Sequence, residues 1–408
     1  SQIEELILSR TEGIPFFIEE HIKSLKDLKI IERQNGVYKL ARSIASITVP
    51  SSIQDVIMAR VDTLPEEAKE ILRIGAVIER EFSHELLKKV TGLSEQELLS
   101  SLAILKDSEL LYERGIYPDS TYIFKHALTR EVIYDSILTR KKKQLHEKVA
   151  ATIEDIHQED LCYHYGVLVG HCQAGENYEK GAEYARLEAR RLQKAASLRD
   201  AVEYAKKCVT CLEKLPQNEA VQKKIIDARV VLSVYYLSLN YHNEAKDAVE
   251  PVIQLAQNLK YTKRLPGLYT AMEQYYVHVE EDFSTAKWYF NEISKIAAKA
   301  GDLVALWFSN YQMGATICMN YHFEEGADYL KTALDMSVSA NNLIGITHPK
   351  SAFALSYCLQ GKVDLALQMS TESMQAARES GDIIALQPAN ASRGISFYYK
   401  GNLRESEE

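Results

Sequence analysis

The chain contains no run of apolar residues approaching the roughly 20 that a membrane-spanning helix needs, which argues against one crossing a bilayer. It also has no excess of positive charge. With 48 Lys+Arg against 57 Asp+Glu the net charge is -9, so general affinity for nucleic acid or anionic membrane is not expected. No G-x-x-x-x-G-K-[ST] string is present to cradle phosphates with backbone N–H groups, and no acidic strand end stands ready for magnesium. Nucleotide hydrolysis by this chain alone is therefore not expected. Its six cysteines are scattered through helical sequence with no signal peptide ahead of them, so no disulfide framework is expected and a reducing cytoplasm is the natural setting. Cys208 and Cys211 share a helix face without further ligands nearby, and the spacing of Cys162, His164, His171 and Cys172 scatters them around a helix. No metal site is assigned.

What the chain does contain is a period. Gly301-Asp302-Leu303, Asn341-Asn342-Leu343 and Gly381-Asp382-Ile383 are near-copies of one turn, forty residues apart. Gly361 and Gly401 keep the same step, as do the small residues Gly314, Ala354 and Gly394, and Ala286, Gly326, Ala366 and Ser406. A fixed period of this length marks a solenoid of helix pairs, each burying its apolar side against the next. Met313-Gly314, Ile317, Tyr321, Gly326 and Ala333 reproduce the small-and-large pattern of a tetratricopeptide unit, with helices longer than the ordinary 34-residue repeat allows. The second helices pass through Gly181, Ala201, Ala245, Ala286, Gly326, Ala366 and Ser406, with irregular first intervals of 20 and 44.

The first 160 residues read differently. Two short helices break at Gly13-Ile14-Pro15 and run to about residue 33. Helices follow from Ile53 to Leu64, from Pro65 through Ile78, and from Glu95 to about Ser108, the last with a capping box at Ser94 and Glu97. Short strands at Leu110 to Arg114 and Thr121 to Phe124 then make a wing, so residues 51 to 126 describe a winged-helix module. Helices Ala127 to Leu138 and Lys141 to Ile156 close the region. Its third helix carries Glu95, Glu97, Asp107 and Glu109 against Lys106, a charge pattern that phosphates would repel.

Five strings in this region carry a resemblance: RTEGIPFFIEE at 10–20, VPSSIQ at 49–54, ARVDTLP at 59–65, GAVIEREF at 75–82 and YIFKHAL at 122–128. In this order they resemble the helical lid and winged helix of signal-transduction ATPases with numerous domains, above all the subgroup found behind bacterial class III adenylate cyclase or protein kinase domains. The resemblance implies that Gly13 and Pro15 belong to the turn that packs on adenine, and that His126 is the candidate for reaching a β-phosphate of ADP. Gly13-Ile14-Pro15 read alone is equally a helix break. An aspartate follows the histidine in many such proteins, whereas Ala127 stands here.

The fold class expected is mostly α, a winged-helix module with a small β-hairpin followed by an α-α superhelix of tetratricopeptide-like repeats. Its divisions are residues 1–48, the end of a lid; 49–126, the winged helix; 127–160, connecting helices; and 161–408, the repeats, with the chain reading as a fragment cut at both ends. First helices in such repeats line a partner-binding groove, which places Tyr275, His278, Phe308, Tyr311, His348, Ser351 and Tyr398 there, although some of these would serve as core between repeats. The expected partner is a protein or peptide, with no membrane and no direct nucleic-acid contact. The fragment itself should hold no cofactor, and ATP or ADP with magnesium belongs to the longer parent that the resemblance implies. The alternatives are a passive scaffold and a transcription regulator of the maltose-activator type, which would need a basic helix-turn-helix beyond Glu408.

Overall fold

Residues 15–27, 31–34, 37–40 and 52–407 are described in this computed structural model. The chain divides into two compact units, residues 1–188 and 189–408. In the first unit Pro15 opens helix α1 (Pro15–Asp27), its fixed φ suiting a first helical turn. The helix expected before Gly13, with Gly13 itself, lies outside the described residues. An antiparallel hairpin follows, β1 (Ile31–Gln34) paired to β2 (Val37–Leu40) with Ile31 opposite Leu40. The sequence reading carries the helix to residue 33, and this is corrected: residues 31–34 are strand. So short a segment takes its state from the partner strand beside it more than from its own preference.

Helix α2 (Ile53–Asp62) starts at a reciprocal cap, in which Ser52 Oγ accepts the Asp55 N–H and the Asp55 carboxylate accepts the Ser52 N–H. Then come α3 (Glu66–Ile78), β3 (Glu81–Ser83), α4 (His84–Thr91), α5 (Glu95–Asp107), β4 (Leu111–Arg114) and β5 (Thr121–Phe124). The strands form one antiparallel sheet in the order β3-β5-β4. The expected two-stranded wing therefore gains a third strand, and the expected three helices gain α4. Strand β3 is three residues with one buried side chain, Phe82, which is too short to display a period. Its place is visible from the partner side: a Cβ on Gly75 would stand 2.7 Å from the Phe82 ring, so α3 meets the strand through a glycine. Phe82, Leu87, Leu98, Leu102, Leu105, Tyr122 and Phe124 form the buried centre.

Helices α6 (Ala127–Ser136) and α7 (Thr139–Ile156), a 3-10 turn (Leu161–Tyr163) and α8 (Tyr165–Ala174) extend that core. Here Tyr134 Oη lies 2.9 Å from His146 Nε2, and His146 Nδ1 lies 2.8 Å from His171 Nδ1. One ring must donate and the other accept, which requires the accepting ring to be neutral. Burial pushes both imidazoles down to about 4 and keeps them so at pH 7.

From α9 (Tyr178–Lys194) onward the chain is helical throughout: α10 (Leu198–Glu213), α11 (Glu219–Ser238), α12 (His242–Asn258), α13 (Leu265–His278), α14 (Phe283–Ala300) and α15 (Leu303–Met319). Next are α16 (Phe323–Ser339), α17 (Leu343–Leu359), α18 (Val363–Ser380), α19 (Ile383–Lys400) and α20 (Leu403–Glu407). In the second unit each first helix packs on its second, and first helices also pack on one another, α15 on α17 and α17 on α19.

The period has a backbone cause. Residues in the left-handed region recur near every twenty positions: Asn240, Lys260, Glu281, Gly301, Tyr321, Asn341, Gly361, Gly381 and Gly401 all have positive φ. Each ends a helix, and glycine or asparagine takes that conformation at little steric cost. The forty-residue repeat is two such half-steps. Glu176 and Ala196 are also left-handed, so Gly181 and Ala201 lie on consecutive helices, α9 and α10. They are not successive second members, as the sequence reading has them; similarity at the half-period hides which member of a pair a helix is.

At the crossing of α15 and α16 the backbones nearly touch. A Cβ on Gly326 would stand 2.4 Å from Cys318 Sγ and 2.8 Å from the Gly314 carbonyl oxygen. The equivalents one pair later, Ala354 and Ala366, are alanines fully buried. Gly326→Ala is therefore expected to cost about 1–3 kcal/mol by overpacking. Urea unfolding followed by the fluorescence of Trp288 and Trp307 checks this, and an unchanged midpoint would show that this crossing has room to open.

Candidate functional site

On α15 and α17 of the second unit an aromatic cluster is assembled from positions of one helical face. Trp307 and Tyr311, one turn apart, stack with centroids 5.7 Å apart and planes 13° from parallel. His348 of α17 sets its edge against both rings, at 5.8 Å and 5.4 Å. The His348 Nδ1 lies 3.1 Å from the Ile344 carbonyl oxygen. Donation there fixes the tautomer and leaves Nε2 as an acceptor. Phe308 adjoins Trp307 and is 39% exposed. Burial raises the Tyr311 hydroxyl above its usual range, so it stays a neutral phenol. The Trp307 Nε1–H is buried and has no hydrogen-bond acceptor among the described residues. Such an orphan donor carries a penalty of about 1–3 kcal/mol, which an acceptor brought by a ligand would relieve.

Three of the residues placed in a groove from sequence, Phe308, Tyr311 and His348, thus meet around a fourth that the sequence reading omits, Trp307. A signal for it exists, since it is one of only two tryptophans and lies on the same helix as Phe308 and Tyr311. The others lie elsewhere. Tyr275 sits under the Lys246 ammonium at 5.2 Å and its hydroxyl donates to Glu280, while His278 stacks on His242 at 4.5 Å. Tyr398 is exposed on α19 beside Tyr399. Ser351 is corrected to a packing residue: it is 4% exposed, its hydroxyl 2.8 Å from Ser373 Oγ, with Ser392 Oγ donating to it at 3.3 Å. Ser373 in turn donates to the Thr347 carbonyl oxygen, so a seam of hydroxyls joins α17, α18 and α19 and leaves no open face at Ser351.

In the first unit the residues of three separated strings converge. Glu20 of α1 accepts from Arg60 of α2, with exposures of 2% and 6%, and Arg60 Nη2 also donates to the Ser108 carbonyl oxygen at 2.7 Å. Alongside, Lys125 reaches Glu109 at 2.7 Å and Glu19 at 3.1 Å, and Lys23 bridges Glu19 and Glu109. Hydrogen bonds from Lys125 and Lys23 hold the Glu109 carboxyl down to about 2. The paired acids that end the first string are the ties that fasten α1 to the winged helix. His126 stands at the N-terminal boundary of α6 next to this cluster, its imidazole pushed below the usual range by burial, against the pull of Glu20. Pro15 is exposed at the start of α1.

Four lysines of the first unit are held by acids. Lys106 pairs with Glu113, and Lys141, Lys142 and Lys143 pair with Glu70, Asp135 and Glu176. No helix among the described residues is long and apolar enough to cross a membrane.

No protein-family profile and no curated protein matches this chain. Among solved structures it is similar to a signal-transduction ATPase with numerous domains that carries a tetratricopeptide-repeat sensor, from Pyrococcus horikoshii, with 13% identity and a TM-score of 0.44 over 98% of this chain and 60% of that one. The chain thus spans 60% of that protein's length. It is similar also to aspartyl phosphate phosphatase F from Bacillus subtilis, with 11% identity and a TM-score of 0.44 over 90% of this chain and 93% of that one. A third is a Rap protein in complex with competence and sporulation factor, with 12% identity and a TM-score of 0.37 over 86% and 99%.

Proposed function

We propose that the chain is the regulatory, partner-binding portion of a signal-transduction ATPase, in which the repeats hold a protein or peptide and the lid and winged helix couple that event to nucleotide state. The aromatic cluster of Trp307, Tyr311 and His348, with its unsatisfied indole N–H, carries the binding half of this reading. Aromatic rings with polar edges give a peptide large contact area at low conformational cost. The fastening of α1 to α2 through Glu20 and Arg60 supports the coupling half, because a movement of one helix would be passed to the other. Pro15 and His126, with Gly13, are the residues of this chain proposed to face ATP or ADP in a longer parent, where the phosphate loop and magnesium site would reside. The chain itself supplies no catalytic step, and its setting is the cytoplasm.

Selection of random displayed peptides on the chain, followed by fluorescence polarisation of a recovered peptide, tests the binding half. Trp307→Ala and His348→Ala are each expected to weaken binding about thirtyfold, or about 2 kcal/mol. Recovery of no peptide, or binding by both variants as tight as that of the unsubstituted chain, would remove the basis for a peptide site on these helices.

A further inference from the structure

The turn that joins α7 to α8 gathers a second set of side chains, distant in the chain from the aromatic cluster. His157 ends α7 as its C-cap, Asp160 precedes the 3-10 turn, and His164 stands at the start of α8. His157 Nδ1 lies 3.1 Å from Asp160 Oδ1, and His164 Nε2 lies 3.8 Å from Asp160 Oδ2. The two imidazole rings are stacked at 3.6 Å, 26° from parallel. One ligand atom from each residue lies within 4.8 Å of the other two. Ligands of one tetrahedral zinc ion stand about 3.3 Å apart when the bonds are about 2.0–2.1 Å long. Each imidazole stands near that distance from an Asp160 oxygen, His157 from Oδ1 at 3.1 Å and His164 from Oδ2 at 3.8 Å.

We propose that His157, Asp160 and His164 bind a divalent transition-metal ion of borderline softness, with zinc or cobalt as the fitting class. Two imidazoles and one carboxylate suit such ions; calcium and magnesium prefer all-oxygen sets, and thiolate-seeking ions find no sulfur in this one. The ligands are His157 at 32%, His164 at 29% and Asp160 at 52% exposure, so an ion can enter from solvent and keep at least one position for water or a group from a partner. The ion would close a loop of eight residues, fixing the chain reversal that ends α7 and begins α8. Because lone pairs lie in the ring planes, the two rings must turn out of their present stack to aim both at a common point. Asp160 bridges the two histidines and so sets where that point lies.

Cys162 sits in the same turn and is exposed, yet its thiol is outside the ligand set. It serves as the control. The experiment is a titration of the metal-stripped 408-residue chain with Co²⁺, read by visible d–d absorption, with Zn²⁺ as competitor and the fold of each variant checked by circular dichroism. One ion per chain is expected, displaced by Zn²⁺, with His157→Ala and His164→Ala each weakening binding at least tenfold, Asp160→Asn weakening it less and Cys162→Ser leaving it unchanged. Absence of a saturable Co²⁺ signal would mean that the three groups only hydrogen-bond one another. Loss of the signal in Cys162→Ser with retention in the folded histidine variants would place the ion on thiols. Either result overturns the site.

Discussion

Arg60→Ala is expected to destabilise the first unit by about 3–5 kcal/mol, because it strands the Glu20 carboxylate at 2% exposure without its guanidinium. Glu20→Ala should cost less, because Arg60 keeps its hydrogen bond to the Ser108 carbonyl oxygen. Replacing both members together, as Glu20→Leu with Arg60→Met, is expected to recover most of the loss. A buried ion pair gains little over well-packed apolar groups, since attraction and desolvation nearly cancel; it is the orphaned charge that is expensive. The readout is simple. Both tryptophans, Trp288 and Trp307, belong to the second unit, so their fluorescence is an internal control while far-ultraviolet circular dichroism follows the whole chain in urea. A shift of the early dichroism transition with a fixed fluorescence midpoint is the expected pattern. Equal losses in the single and double variants would show that the ion pair itself, rather than the avoidance of an orphaned charge, holds α1 in place.

Glu273→Gln is expected to do the opposite and stabilise the second unit at neutral and alkaline pH by up to about 3 kcal/mol. Glu273 on α13 is 3% exposed; its Oε2 accepts from Gln274 Nε2 at 3.1 Å, and its Oε1 has no hydrogen-bond partner among the described residues. Burial pushes its carboxyl up to about 7 from the ordinary 4.5. The folded state thus keeps the proton after the unfolded state has lost it. Below pH 4.5 both states are protonated and the residue costs no ionisation penalty. As pH rises from 4.5 through 7 the unfolded chain gains by ionising, and stability falls by the full amount just above pH 7. Glutamine keeps the shape and an acceptor for Gln274, and it has no charge to bury. Tryptophan-detected urea unfolding between pH 4 and 8 should show a falling stability for the native chain that is largely flattened in the variant. Parallel curves would mean that Glu273 is ionised at no cost in the folded protein.

How far the sequence discloses the fold depends on whether a feature is local. The left-handed turns at Gly301, Asn341 and Gly381 are written in the turn residues themselves, and so the repeat is legible. The start of α5 is legible for the same reason, since Ser94 and Glu97 are three residues apart and complete their cap without outside help. Strand β3 is not, because three residues cannot show alternation and Phe82 acquires its meaning only against Gly75 and β5. The hairpin β1-β2 escapes notice likewise, each strand being decided by the other. The acids Glu19 and Glu20 can be quoted as part of a family string without any hint of their partners, which lie forty residues on at Arg60 and beyond one hundred at Lys125. Ser351 shows the reverse failure. Its place in the period is correct, but a hydroxyl can point into a seam as readily as into a cleft, and only the positions of Ser373 and Ser392 decide. At the α7–α8 turn the sequence reading weighs His164 beside Cys162, His171 and Cys172 and finds them scattered around a helix; folding joins it to residues on the far side of a turn, His157 and Asp160.

The half-period turns also make the second unit ambiguous to itself. Because a helix stop recurs near every twenty residues from Asn240 to Gly401, sliding that stretch by one helix places stop on stop and exchanges first helices for second ones. Such an alternative keeps its helix ends and much of its small-residue spacing, so it competes as a trap for the folding chain. What separates the two registers is what the halves do not share: Trp307, Tyr311 and His348 form their cluster between two first helices, and the glycines 314 and 326 meet at one crossing. The long step from Ala196 to Asn240, with no left-handed residue between, breaks the rhythm once. It acts as a phase mark, letting the array count from one end.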